Sequence, residues 1–178
     1  MTEQIIKIQK LSVKKNEKPS LESPGQLLLE KWGCLSSLEI GKWIFSKQLG
    51  RMVPYTGSIG ARVLQLKPGY ALVKLKDRKK NRNHLQCVHA IALANLGELA
   101  SGLAMLTALP AHIRGIVTGI DIEYRQKARG TLTAESHFNP LDVPLKEVSS
   151  EVQSTAHIMN DKNEIVSTVT ATWKLEQK

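Results

Sequence analysis

The stretch from about Val88 to Leu106 constrains this chain most. It reads as one long helix whose apolar positions are small: Ala90, Ala92, Ala94, Gly97, Ala100, Gly102 and Ala104. A helix that is apolar on nearly all sides must be covered on nearly all sides. Side chains this small let a sheet close in around the helix axis. Pro110 prevents the helix from continuing. A single carboxylate, Glu98, lies within it.

Strand patterns flank the helix and supply the cover. From Tyr55 onward the sequence takes on β character, with a strand expected over Ile59 to Leu66. Pro68-Gly69 is a turn, and Tyr70 to Lys76 returns. Four strands are expected after the helix. Ile120, Ile122 and Tyr124 point one way, with Asp121, Glu123 and Arg125 the other. Gly130 turns the chain into Leu132, Ala134 and Ser136. A connection from Phe138 to Glu147 carries Pro140 and Pro144. Val152, Ser154, Ala156 and Ile158 then alternate with polar residues, as do Val169, Ala171, Trp173 and Leu175, across a hairpin turn at Asn160–Asn163. Period two with one polar face describes an antiparallel sheet that is wet on one side.

Ahead of the sheet, Ser23-Pro24 opens a helix, Ser23 as N-cap and Pro24 at the first helical position. It carries Leu27, Leu28, Trp32, Leu35 and Leu38. A second amphipathic piece holds Ile40, Trp43, Ile44 and Leu49. These two pieces are expected to pack on the core, with a membrane-surface or acyl-chain-lid role as the alternative. The fold class is therefore α+β: a long central helix wrapped by a curved antiparallel sheet, with an N-terminal helical extension. The expected divisions are a flexible tail over 1–22, a helical segment over 23–50 and the helix-and-sheet domain over 51–178. No internal repeat or second domain is visible, and 178 residues suit one core.

Composition narrows the function classes. No uninterrupted apolar run approaches the roughly 20 residues of a transmembrane helix. Met1 to Ser20 lacks the pattern of a secretory signal or of a transit peptide, so a cytoplasmic protein without an integral membrane segment is expected. Cys34 and Cys87 have no metal-type spacing and are expected as reduced, buried thiols; no metal site is expected. The net charge of +9 favours anionic partners. Aromatic residues are few and no nucleic-acid motif is present, so a nucleic-acid partner is not expected. Two basic clusters stand out: Arg78-Lys79-Lys80 with Arg82, and Arg125, Lys127 and Arg129. Each is either a solvated turn or a contact for the phosphates of a nucleotide-bearing ligand, for which Lys80, Arg82 and Arg129 are the candidates.

Three features bear on a reaction. The first is the start of the central helix at His89 and Ala90, where backbone N–H groups lack intrahelical partners and meet the positive end of the dipole. They can hold a carbonyl oxygen as it gains charge. The second is Asn83, able to orient water or a carbonyl. The third is Glu98, a candidate general base or nucleophile, whose bland alternative is a solvated or ion-paired helix residue. Ala90 and Glu98 are eight residues apart, hence about 12 Å along the axis. One carbonyl cannot touch both. If both act on one substrate, Glu98 must come from a second chain, and two antiparallel central helices would form two sites per homodimer. Pairing of dimers into tetramers is left open.

Asn83, then His89 six residues on, then Glu98 nine residues after the His, resembles the signature of hotdog-fold acyl-CoA thioesterases of the phenylacetyl-CoA thioesterase type. Ile120-Asp-Ile-Glu-Tyr124 and Lys127-Ala-Arg-Gly130 resemble the same family, over roughly residues 50 to 175. The resemblance implies a hotdog fold and hydrolysis of an acyl-CoA or similar thioester. It also implies a pantetheine arm lying between protomers, and no cofactor beyond the coenzyme A of the substrate. It makes Glu98, Asn83, Ala90 and His89 the catalytic candidates and Ile91 a substrate contact. Thr118 is the nearest match to a polar residue that the family places across the interface. In the family two glycines follow the His, whereas here Ala90 and Ile91 follow it. An Ala keeps its N–H, but a position requiring positive φ would cost it roughly 1 kcal/mol. The competing reading is a non-catalytic hotdog module that binds acyl-CoA or a fatty ligand. A dehydratase is disfavoured because its His-containing loop is absent.

Overall fold

The computed structural model describes residues 23–139 and 149–177; the expected tail over 1–22 and most of the Phe138–Glu147 connection fall outside them. Among the described residues three helices come first: α1 (Pro24–Leu35), α2 (Glu39–Met52) and α3 (Pro54–Ile59). Strands β1 (Arg62–Lys67) and β2 (Tyr70–Leu75) follow, then a 3-10 turn (Lys79–Asn81) and the long helix α4 (Ala90–Ala108). Strands β3 (Ile113–Tyr124), β4 (Leu132–His137), β5 (Ser149–Met159) and β6 (Ile165–Gln177) complete the chain. The strands form one antiparallel sheet in the order β1-β2-β4-β5-β6-β3. It curves around α4, which packs on β2, β4, β5 and β6 while α1 crosses its other side.

The small residues of α4 are what allow this approach. A Cβ at Gly97 would lie 2.4 Å from Cβ and Cγ2 of Val169 on β6. Ala100 and Ala104 are fully buried at the same interface. Strand alternation runs as the sequence indicates: Val152, Ser154, Ala156 and Ile158 face inward, as do Val169, Ala171, Trp173 and Leu175. The β5–β6 hairpin is closed by Asn160, whose Oδ1 accepts from the backbone of Lys162 and Glu164 at 2.9 and 3.0 Å. Asn163 supplies the left-handed residue, φ 61°.

At 19 residues, α4 is long and apolar enough to cross a membrane by length and composition, yet it is mostly buried within the protein, as the core helix of a wrapped sheet is. Its apolar character serves the sheet.

Several expectations are corrected. Residues Pro54–Ile59 are helical rather than extended: Pro54 starts α3 and Gly60, in the left-handed region at φ 71°, ends it. Six residues are too few for a helical period to register. On α2 the buried line is Gly41, Phe45 and Leu49, while Ile40 and Trp43 are exposed. Phe45 meets Trp32 of α1 edge-on at 5.1 Å, which fixes the rotation of α2. Cys34 is exposed; only Cys87 is buried. The capping box of α1 is present in full, with Ser23 and Gln26 exchanging hydrogen bonds.

Candidate active site

The approach to α4 is a loop fastened at almost every backbone group. His89 N–H donates to the Asn81 carbonyl at 2.7 Å, Val88 N–H to Ala128 at 2.8 Å and Asn83 N–H to Cys87 at 2.9 Å. Gln86 turns the chain at φ 55°. The Asn83 side chain holds this turn: its Oδ1 accepts from the N–H of Leu85 at 2.9 Å, from the N–H of Cys87 at 3.4 Å and from the Cys87 thiol at 3.3 Å. Its acceptor is therefore occupied. The Nδ2 donors have no partner among the described residues, so Asn83 can offer hydrogens to a carbonyl but is no acceptor for water.

His89 is the N-cap of α4. Its Nδ1 accepts the Ile91 N–H at 3.1 Å, which in the neutral ring leaves the proton on Nε2. The carbonyl of His89 accepts from Ala92 and Leu93. One amide at this helix start then lacks a partner among the described residues, that of Ala90. Ala90 and Ile91 both lie within the helix at negative φ, so neither bears the penalty that a required positive φ would impose. The Ile91 side chain is exposed, as an entrance residue would be.

Glu98 lies two turns further along α4, on the stripe that begins at Ile91 and continues through Ala94. It is half-buried. Its carboxylate has neither a hydrogen bond nor an ion pair among the described residues, and burial pushes its pKa up from the ordinary carboxylate range. Next to this stripe runs β3, an edge strand. Its inward residues Ile120 and Tyr124 remain 42% and 49% exposed, because α4 covers the strands further into the sheet. Tyr124 donates to the Ala90 carbonyl at 3.3 Å, and burial raises its pKa.

Not all the sequence candidates come together. Asn83, His89, Ala90 and Ile91 form one junction, with Glu98 remote from it in the same chain. Thr118 sits at a bulge of β3, exposed, and donates to the Thr172 carbonyl at 3.4 Å; it makes no hydrogen bond to the junction or to Glu98. Lys80 donates to the Ser58 carbonyl. Arg82 pairs with Asp77 at 2.7 Å, and its guanidinium holds the Asp77 carboxyl below the usual range. Asp77 also accepts the Gly130 N–H at 3.1 Å, joining the two basic clusters. Arg129 stays exposed without a hydrogen bond among the described residues. Sequence reasoning passed over Asn95, buried on α4 one turn before Glu98. Its Oδ1 has no partner among the described residues, and its Nδ2 reaches the Tyr55 carbonyl at 3.5 Å. An amide side chain one turn before the carboxylate of a mostly apolar helix was the available signal. Tyr124 was read for its face of the strand, but its contact with Ala90 depends on long-range pairing.

A family model described as "Domain of unknown function (DUF4442)" matches residues 41–175. No functionally curated protein matches the chain in sequence. Among solved structures, the chain is similar to one solved as genomics APC5556, at 28% identity and TM-score 0.73, covering 85% of this chain and 99% of that one. It is similar also to PA5026 of Pseudomonas aeruginosa, a probable thioesterase, at 21% identity and TM-score 0.68, covering 75% and 93%. A third is a point mutant of the phenylacetic acid degradation protein PaaI from Thermus thermophilus, at 20% identity and TM-score 0.56, covering 68% and 97%. The shared architecture is the hotdog fold, as the sequence resemblance implied.

Proposed function

The chain belongs to the family described as a domain of unknown function, DUF4442, and from that footing we propose that it hydrolyses an acyl-CoA or related thioester at a site shared by two copies. The observation that carries this reading is the pairing, on one helix, of an amide at Ala90 and a half-buried carboxylate at Glu98 that both lack a partner among the described residues. A buried carboxylate without a partner is costly to keep unless it is used. The two groups cannot serve one carbonyl within a single chain, since eight residues of helix separate them by about 12 Å. Two α4 helices lying antiparallel across a twofold axis supply both groups to each of two sites. The uncovered strip of Ile91, Ile120 and Tyr124 and the open edge of β3 suit such a contact. The thioesterase name borne by the similar Pseudomonas protein supports the same chemistry.

In this mechanism the thioester oxygen accepts the Ala90 N–H, with Asn83 Nδ2 as a second donor. Glu98 of the other copy takes a proton from water as the water oxygen bonds to the carbonyl carbon. The carbonyl π electrons move to oxygen, and the resulting oxyanion is held by the amide at the positive end of α4. Collapse re-forms the carbonyl and breaks the C–S bond. The thiolate leaves with the electron pair and takes up the proton that Glu98 removed from water, or one from solvent. Of the phosphate candidates the sequence offers, Lys80 and Arg82 are engaged by Ser58 and Asp77, and Arg129 is exposed without a hydrogen bond among the described residues. The chemistry calls for no metal or cofactor beyond the substrate's own coenzyme A.

Glu98→Gln tests the reading. Thiol release from a panel of acyl-CoA esters should fall by about 10²–10⁴-fold, with the oligomeric state by light scattering unchanged. Undiminished turnover removes Glu98 from the chemistry. Tight coenzyme A ester binding by the unmutated protein with no turnover would favour the binding-module reading instead.

A further inference from the structure

A cleft of about 520 Å³ opens between α2, α3 and the β1–β2 hairpin, on the side of α4 marked by Leu99, the neighbour of Glu98. Its volume lies within the roughly 300–1,000 Å³ of ligand pockets. Six cations line it: Lys47, Arg51, Arg62, Lys74, Lys76 and Arg78. Among the described residues, no carboxylate does. Only Arg62 has an ion-pair partner among the described residues, Glu39 at 2.7 Å, and even there Nε is buried with no hydrogen-bond partner. The floor is apolar, formed by Leu49, Val63 and Leu99, and Trp43 stands at the wall with the Lys47 ammonium 5.8 Å from its ring centroid.

The cleft is built by the helical extension. Gly50 of α2 and Gly57 of α3 touch backbone to backbone, so that a Cβ on Gly57 would lie 2.3 Å from the Gly50 carbonyl oxygen. This contact folds α3 back along α2 and sets both helices over β1. Charges of one sign against low-dielectric walls repel one another and focus the field outward. An arrangement of this kind is relieved by a multiply charged anion. Guanidinium and ammonium groups suit phosphate oxygens, and an exposed indole suits a heteroaromatic base.

We infer that this cleft binds the phosphorylated nucleotide end of the coenzyme A thioester, an inference that rests on the hydrolase reading. The N-terminal helical extension then serves substrate recognition rather than the bond-breaking step. It also explains why Lys80 and Arg82 are taken up by internal partners: the phosphate contacts lie on the neighbouring wall, beginning at Arg78.

The test pairs Arg51→Ala/Lys76→Ala, both exposed positions, with Lys162→Ala on the distant β5–β6 turn as control. Free coenzyme A, inorganic pyrophosphate and phosphatidylglycerol vesicles are titrated by calorimetry or sedimentation. Coenzyme A should bind about tenfold more weakly to the double variant than to the control, and its affinity for the unmutated protein should fall as salt rises. The preference in kcat/KM for an acyl-CoA over the same acyl group on N-acetylcysteamine, which lacks the nucleotide, should shrink by a similar factor. Equal coenzyme A affinity in variant and control overturns the inference and leaves the hydrolase reading standing. Pyrophosphate binding as tightly as coenzyme A, or a loss confined to vesicles, also overturns it, by assigning the cleft to bare phosphate or to lipid headgroups. Cleft-dependent coenzyme A binding without any hydrolysis upholds the cleft and sinks the hydrolase. Lys47→Ala/Arg78→Ala is the second variant should the first fail to fold by circular dichroism, and it is read by the same criteria.

Discussion

Two inactive variants should restore one another when mixed. The first is Glu98→Gln, which removes the proposed base. The second is Ala90→Pro, which the structure makes an unusually clean deletion. Ala90 is the first residue of α4, a position where proline is welcome and its fixed φ already suits the helix. The preceding His89 has φ −62° and ψ 140°, the extended conformation that a following proline demands. The N–H that proline lacks is the one amide of this helix start without a partner among the described residues. Loss of a single oxyanion donor costs about 2.7–4 kcal/mol, or about 10²–10³ in kcat.

Each variant alone is therefore nearly silent. If the site is shared, a mixed dimer holds one intact site, with Ala90 from the Glu98→Gln chain and Glu98 from the Ala90→Pro chain. Its other site lacks both groups. Equal mixing with free exchange makes about half of the dimers mixed, each with one of two sites working. Specific activity should then return to about a quarter of the unmutated value. The assay is thiol release before and after subunit exchange, with exchange itself followed by native mass spectrometry on differently tagged chains. A mixture that exchanges yet stays as inactive as its parents would place the whole site in one chain and refute the argument from helix length.

The pKa of Glu98 gives a further pair of outcomes. Burial raises it, so the ionised form is disfavoured in the folded state. The resulting penalty is absent below the unfolded carboxylate pKa, grows as pH rises through the window between unfolded and folded values, and is complete above the folded value. Glu98→Gln should thus raise Tm at neutral pH and lose that advantage in acid; an equal gain at both pH values would contradict the cause assigned. On acidification kcat/KM of the unmutated protein should fall with an inflection above the range of a free glutamate, and an inflection at or below that range would count against Glu98 as base. Gly97→Ala should destabilise the protein even though alanine favours helices by about 1 kcal/mol, because its Cβ would meet Val169 at 2.4 Å. Overpacking of about 2 kcal/mol, the middle of its usual range, exceeds that gain by about 1 kcal/mol, for a fall in Tm of about 2–4 °C by calorimetry. A rise in Tm would show that α4 and β6 are not so closely packed.

Much of the wrapped-helix architecture was legible because its signals are local and repeated. The alternation in β5 and β6 runs for many residues, and the small residues of α4 fall where the sheet presses closest. Short or cross-element features were less visible. Helix α3 is a single proline-started turn and a half, so the residues from Tyr55 onward took on β character in the sequence, with Ile59 placed in the strand that follows. The rotation of α2 was misjudged because Ile40 and Trp43 are more hydrophobic than Gly41, yet the close packing of Gly41 on the backbone of Leu35 decides which face is buried. The exposed isoleucine and tryptophan did not announce the cationic cleft either. Its charges come from α2, β1, β2 and the residues just beyond β2, and no window of sequence brings them together. Asn83, His89 and Glu98 could be picked out by spacing; that the Asn83 acceptor is spent on its own turn could not.

Ala90 and Ile91, standing where the thioesterase signature that the sequence resembles carries two glycines, change the proposed site less than sequence suggests, and in a different place. The concern at Ala90 is steric, and the helical conformation there answers it. The change that matters is that the Ile91 N–H is already engaged by His89 Nδ1. In the proposed mechanism the helix start then contributes one amide to the oxyanion rather than two, and Asn83 Nδ2 is the donor left to make up the difference. A site with a single helical amide leans more on its base. In that proposal the burden falls on Glu98: half-buried and without a partner among the described residues, its carboxylate is held above the usual pKa by burial and is a stronger base than a glutamate in water, and it remains so only while nothing in its own chain neutralises it.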